Sequence, residues 1–275
     1  MITGPDRVSF LQGMVTNDVE KLAEGGSVYA ALLTPKGGMV GDVRVLKRGD
    51  SLVLDTGAGC GETVRAFLNK YLISEEAEVV DAPTLSLVGL VGPKAAAAAE
   101  GVPGRLAVFP DLLGRGVDVL VEKGAQTPSL PQLDEATYEV IRVEAGVPRY
   151  GVDMTETTIP LEANLERAIA YQKGCYIGQE VIARATFRGQ MAKKLTGLLL
   201  DEAVPDRGTE LRRGEKKVGF VTSVVRSPLL DQFIALAYVH RDSLVAGTEL
   251  ELASSGKALV VGLPFVPVPA LAPAK

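Results

Sequence analysis

The apolar positions of this chain follow helical spacing in a few stretches and strand-like runs elsewhere, and from Lys194 onward only short β-like runs remain. Ser27–Leu33 and Met39–Leu46 read as strands joined by the turn Thr34-Pro35-Lys36-Gly37-Gly38. Ser51–Asp55 is a third. In Asp6–Glu20, Phe10, Leu11, Met14 and Val15 give helical spacing, and Gly4-Pro5-Asp6 supplies the break and cap. Glu62–Leu72 is helical, with Val64, Phe67, Leu68 and Tyr71 on one face. Leu85–Val91 reads as a buried strand, and Pro93 opens a short helix through alanines 95–99. Arg105–Phe109 and Val117–Val121 are strand-like, and the turn-rich stretch 124–131 marks a boundary. Asp134–Ala145 predicts a helix capped by Asp134, and Leu161–Tyr171 a second helix preceded by proline. The closing runs are Lys194–Leu200, Glu210–Arg212, Lys217–Val225, Phe233–Val239, Glu249–Leu252 and Ala258–Val261, a spacing that suits a small barrel or sandwich.

Composition narrows the classes. A length of 275 residues suits two or three modest domains, and a hydrophobic fraction of 47% is that of an ordinary globular chain. A net charge of −5 argues against a general grip on nucleic acid, yet leaves room for a local basic pocket and an anionic small molecule. No apolar run is long enough to span a bilayer, and the prolines within Pro264–Pro269 break the apolar tail. The opening residues lack the basic stretch and apolar run of a signal peptide. Two cysteines, Cys60 and Cys175, form no disulfide framework, so a reducing cytoplasm is the expected setting. A single histidine, His240, ends a strand-like run and leaves the cysteines without an evident catalytic base. No stable metal site is expected of so few ligands.

The most distinctive stretch is Lys173-Gly-Cys-Tyr-Ile-Gly-Gln-Glu-Val181. Cys175 reads either as an accessible, partly ionised thiol or as a small residue filling a turn. Lys173 either tunes that thiol or pairs with a surface carboxylate. Gly174 and Gly178 allow close approach, Tyr176 belongs to the same motif, and Gln179 and Glu180 are placed to cap or staple the segment that follows.

Several motifs occur together in order. They are Gly4-Pro5-Asp6 with Phe10-Leu11-Gln12-Gly13 and Thr16-Asn17-Asp18; Lys36-Gly37-Gly38 with Asp42; and Glu144-Ala-Gly-Val-Pro-Arg-Tyr-Gly151. Pro160-Leu-Glu-Ala-Asn164, the Lys-Gly-Cys stretch, Gly219-Phe-Val-Thr-Ser223 with Ser227-Pro228, and Pro264-Phe265 complete the set. With them the chain resembles, over nearly its whole length, the YgfZ/GcvT family, the folate-binding relatives of the glycine-cleavage aminomethyltransferase.

The resemblance implies an α+β fold of three domains in a ring: two mixed α/β domains with antiparallel sheets, and a C-terminal small β-barrel. The expected divisions are 1–46 with 130–190, an inserted domain at 47–129, and 191–275. The family usually has a further strand before the Gly-Pro-Asp turn, and only three residues precede Gly4 here, so the expectation is either a first sheet that lacks an edge strand or a mis-assigned start. The resemblance also implies tetrahydrofolate or a derivative as the bound cofactor. Glu144 would meet the pterin and Asp42 the folate amine region. Tyr150 would stack on the ligand or join the core, and Arg149 would fix its loop. Arg184 and Arg188 would meet the anionic tail or remain surface charge.

Aminomethyltransferases resemble Lys-Gly-Asp at the position of Cys175, and two adjacent aspartates where this chain has Gly41-Asp42. The YgfZ branch has Lys-Gly-Cys. On that letter the resemblance implies a folate-binding accessory protein that supports assembly or repair of iron–sulfur clusters in client enzymes, including radical enzymes that modify tRNA. Its partners would be those client or assembly proteins, with no membrane and no direct nucleic-acid contact. The alternatives are a folate-dependent aminomethyltransferase or demethylase, and an interaction scaffold with a vestigial pocket.

Overall fold

The computed structural model describes all residues except Pro128, Gln190, Glu202, Ala203 and 268–275, together with the side chain of Arg188. Its helices are α1 (Arg7–Met14), α2 (Gly61–Tyr71), α3 (Ala95–Glu100), α4 (Glu135–Glu144) and α5 (Gln179–Arg188). The first strands are β1 (Ile2–Thr3), β2 (Ser27–Leu33), β3 (Met39–Arg48), β4 (Ser51–Thr56) and β5 (Glu78–Val79). They are followed by β6 (Leu85–Val91), β7 (Arg105–Pro110), β8 (Gly116–Glu122) and β9 (Lys193–Leu200). The last are β10 (Glu210–Arg213), β11 (Lys216–Ser227), β12 (Gln232–His240), β13 (Glu249–Leu252) and β14 (Lys257–Val261). The chain has the expected α+β class, with antiparallel sheets and a C-terminal barrel. Contacts divide it into two compact units, Met1–Ala82 with Arg149–Lys194, and Pro83–Pro148 with Leu195–Lys275.

The first unit is built on the five-stranded sheet β2-β3-β4-β1-β5. Successive side chains on a strand face opposite sides, so the sheet has two apolar faces to cover. Ala30, Leu32, Val43, Val45 and Leu52 pack against Phe10, Leu11 and Met14 of α1 and Val64 and Leu68 of α2. Ala31, Leu33 and Met39 pack against a second layer from residues 154–182, including Met154, Leu165, Ile169 and Ile182.

Three expectations are corrected here. The division at residue 47 falls inside β3, and the sheet continues unbroken into β4 through pairs such as Val45↔Leu54. The strand before the Gly-Pro-Asp turn is present: β1 pairs with both β4 and β5 and is therefore interior to the sheet. The helix expected at Leu161–Tyr171 is two short 3₁₀ turns, Pro160–Ala163 and Glu166–Ala168. Asn164 between them adopts a left-handed conformation with φ 59°, which an α-helix cannot contain.

α1 is also shorter than Asp6–Glu20. Asp6 does not cap it by its side chain; its carboxylate accepts the Glu76 N–H at 2.8 Å instead. The helix stops at Met14 because Val15 turns extended and bridges Leu32 of β2, after which the Thr16 N–H donates to the Ala31 carbonyl and the Thr16 carbonyl accepts from Ala170.

The second unit holds a three-stranded sheet, β6-β8-β7, whose Leu90, Val117 and Val119 pack with Ala95 and Ala99 of α3. It also holds the closed barrel β10-β11-β12-β9-β14-β13. β12 explains why the run at 233–239 is apolar in both phases. Ala235, Ala237 and Val239 fill the barrel, while Ile234, Leu236 and Tyr238 pack outward with Val143 of α4. α4 thus belongs to the barrel's unit, correcting the assignment of 130–148 to the first domain. Its buried Arg142 binds the Ser223 hydroxyl of β11 at 2.8 Å, and Asp134 caps its N-terminus by accepting the Thr137 N–H at 2.7 Å. Among the described residues no helix is long and apolar enough to cross a membrane.

Candidate functional site

In the first unit, the hairpin register places Ala31 opposite Asp42 and Tyr29 opposite Arg44, on one sheet face. The Tyr29 hydroxyl donates to Asp42 Oδ2 at 2.8 Å. Burial holds the Asp42 carboxyl above its ordinary value, and the Tyr29 hydrogen bond offsets only part of that rise. Burial and the Asp42 charge hold the Tyr29 phenol well above its own ordinary value. The Arg167 guanidinium stands over the Tyr29 ring, 5.2 Å from its centroid. Arg44 is not free to pair with Asp42, since it binds Asp55 Oδ2 at 2.8 Å through Nε.

Tyr150 is half-buried beside this cluster, its hydroxyl donating to the Met39 carbonyl at 3.2 Å. Arg149 fixes the local loop through its main chain: its N–H binds Asp153, and its carbonyl accepts from Val152, Asp153 and Met154. Burial, then Asp42, pushes the Cys60 thiol up; burial, then Cys60, pushes up the Tyr150 phenol. Cys60, which matches no motif, therefore lies in the electrostatic field of Asp42. Gly41 faces the other way. A Cβ there would meet Val64 Cγ2 at 3.3 Å, on the α2 side of the sheet. An aspartate at 41 would enter an apolar layer rather than join Asp42, so its absence removes nothing from this cluster.

The Lys173–Val181 stretch divides into a buried part and an exposed one. The Lys173 ammonium donates to the carbonyls of Gln12, Val15 and Asn17 at 2.7, 2.7 and 2.8 Å. Two of these terminate α1, whose last carbonyls have no partner within the helix. An ammonium has three N–H groups, so none is left for a thiol. The role of tuning Cys175 is corrected accordingly, and so is the surface ion pair. Lys173 is a buried clamp, with Tyr176 beneath it at 5.1 Å from the ring centroid. Burial lowers its ammonium to about 8.

Cys175 itself is exposed. The turn then docks by two glycines. A Cβ at Gly178 would stand 2.7 Å from the Thr34 carbonyl oxygen, and one at Gly37 would stand 2.6 Å from Val181 Cβ. Both glycines have positive φ, so each suits its place in backbone and in space. Gln179 and Glu180 form the first turn of α5, and Glu180 pairs with exposed Arg184 one turn on. The Arg184 side chain is exposed in this pair, while the side chain of Arg188 lies outside the described residues.

In the second unit, Glu144 is the last residue of α4 and only 3% exposed. Ser227 Oγ donates to its Oε1 at 2.6 Å, and Oε2 has no donor among the described residues. A carboxylate offers about four lone-pair sites, and it sits here at the negative end of a helix dipole. A buried acid so placed and so little satisfied is one that suits an incoming N–H edge. His240 ends β12 and accepts the Asp242 N–H at 3.4 Å.

Tyr29, Arg167 and Ser227 carry geometry that the sequence did not assign. For Tyr29 the signal was available, since the register of the 34–38 hairpin sets it on the face of Asp42.

Comparison with known proteins agrees with this architecture. The family described as "GCVT N-terminal domain" matches residues 1–109, and "Glycine cleavage T-protein C-terminal barrel domain" matches 193–267. The aminomethyltransferase of Prosthecochloris aestuarii is 30% identical over 308 residues, spanning 97% of this chain and 84% of the relative. That of a Thermus thermophilus strain is 30% identical, spanning 98% and 84%. The solved glycine cleavage system aminomethyltransferase T from Bartonella henselae superposes with a TM-score of 0.84 at 27% identity, covering 96% of this chain and 82% of that one. On this extent of likeness, the chain belongs to the glycine cleavage T-protein, or aminomethyltransferase, family.

Proposed function

We propose that this protein binds a reduced folate of the tetrahydrofolate type. The observation that carries the reading is Glu144, a nearly buried carboxylate with one hydroxyl donor and one undonated oxygen. Such a group is complementary to the aminopyrimidine edge of a pterin, which presents two parallel N–H donors. When bound, the folate supplies nitrogen atoms that carry a one-carbon unit; the chain's part is to hold its ring. Calorimetric titration with folinic acid tests this. Binding in the native protein should fall at least tenfold in Glu144→Gln, and no heat at millimolar ligand overturns the reading.

The relatives support folate-dependent aminomethyl transfer as the activity that follows binding. In that reading Asp42, its carboxyl held above the ordinary value by burial and bonded by Tyr29, is the first unit's candidate acid or base. Formation of methylene-tetrahydrofolate, ammonia and the released, protonated carrier protein from an aminomethylated carrier protein and tetrahydrofolate is the expected result.

One observation supports a second reading, the YgfZ-type service of iron–sulfur client enzymes. Where the transferases resemble Lys-Gly-Asp, this chain has an exposed Cys175 held on a turn that Lys173 and the two glycines anchor. A thiol facing outward suits a protein partner or a cluster in transit better than a buried ligand. The free state of both cysteines supports a reducing, cytoplasmic setting. A deletion strain carrying Cys175→Ser should lose client-enzyme activity; full rescue, together with measurable carrier-dependent transfer, decides for the transferase.

A further inference from the structure

Ser227 closes β11 and is fully buried. Its oxygen accepts the Leu230 N–H at 3.1 Å, so its single proton is directed to Glu144 Oε1, 2.6 Å away. The main chain of Glu144 is fixed as well. Its carbonyl accepts from the N–H groups of Phe265 and Val266 at 3.0 and 3.3 Å. That segment is itself tied back where Arg115 Nη2 binds the Val266 carbonyl at 3.3 Å. Two residues earlier on α4, Arg142 binds Ser223, four positions before Ser227 on the same strand. Glutamate has three rotatable side-chain bonds, and a helix end does not fix them. Leu230 holds the serine and the serine holds Oε1, which restricts the rotation of the carboxylate.

We propose that Ser227 is a positioning residue: it orients the Glu144 carboxylate so that Oε2, with the remaining lone pair of Oε1, presents a fixed pair of acceptors to a planar ligand edge bearing two N–H donors. The inference rests on the folate-binding reading and concerns which oxygen the ligand meets. Removing Ser227 frees the carboxylate to rotate and should weaken recognition of the two-donor edge while leaving the rest of ligand binding intact.

The test compares folinic acid with its analogue in which a methyl group replaces the 2-amino group. Calorimetry gives both dissociation constants for native protein, Ser227→Ala and Glu144→Gln. Native protein should prefer folinic acid at least tenfold. In Ser227→Ala the preference should fall to threefold or less, with binding of the methyl analogue changed by less than twofold. A merely structural role would weaken both ligands alike and keep the ratio, and that result overturns the proposal. Native protein that shows no preference overturns the Glu144 reading itself, and the inference with it. If Ser227→Ala does not fold, as judged by circular dichroism, Ser227→Cys replaces it. A thiol is a weak donor of similar shape, so the same fall in ratio is expected and an unchanged ratio is again decisive.

Discussion

Two polar networks in the first unit, the Lys173 clamp and the Tyr29–Asp42 pair, show how differently buried charge can be handled. The clamp matches three donors to three carbonyl acceptors and closes the end of α1. The Tyr29–Asp42 pair leaves a carboxyl raised by burial and a phenol raised with it. A fully satisfied network rigidifies a fold, whereas a partly satisfied one retains a cost in the folded state that a ligand can relieve. The lysine that looked chemical in the sequence is architecture. The strand aspartate keeps a carboxyl that burial holds above its ordinary value.

The contrast breaks most sharply at Lys173. Lys173→Met leaves three carbonyls without a donor and should destabilise the protein by about 3–5 kcal/mol in urea unfolding. A loss below about 1 kcal/mol would show the clamp to be dispensable. The pH dependence sharpens the same point. The folded value of about 8 lies below the ordinary 10.5, so the unfolded chain binds more protons between those limits. Stability should therefore rise with pH across that window, and the rise should vanish in Lys173→Met.

Tyr29→Phe removes one donor from Asp42 and should cost about 1–2 kcal/mol. Asp42→Asn should act in the opposite sense. Because the folded carboxyl lies above 3.8, the folded state holds its proton longer, and stability falls as pH rises from 3.8 through the folded value. At pH 7 the asparagine, which carries no charge to bury, should be neutral or stabilising by about 1 kcal/mol. A strong destabilisation by Asp42→Asn would place this pair with the clamp. The smallest effect belongs to Cys175→Ser, which should change stability by less than about 0.5 kcal/mol because the side chain is exposed.

Strands were the most legible part of the sequence. β2, β6 and β13 keep the limits expected from their runs, and β12 is recognisable because barrel and α4 bury both its faces. Two-residue strands such as β1 and β5 have no period to read. Leu161, Ala163, Leu165, Ala168 and Ile169 are all buried and imitate a helical stripe, but the left-handed Asn164 divides them. α5 begins after a left-handed glycine, without the usual capping side chain, so nothing local announces it. In the candidate site, motif letters marked Glu144, Asp42 and Cys175. They did not reveal that Lys173 points to α1, nor that Ser227 supplies the donor to Glu144, because both partnerships depend on contacts more than 80 positions away.

The first unit's two halves are separated along the chain by residues 83–148, and this has a consequence for biosynthesis. Strands β1–β5 leave the ribosome first, with Ala31, Leu33 and Met39 bare on one side. Their cover, and the lysine that ends α1, are translated only after the 66 intervening residues. At about 5–20 residues per second that interval is roughly 3–13 s. Nascent chains arrested before Arg149 should bind holdase chaperones through this uncovered face, and release them once synthesis passes the Lys173 turn.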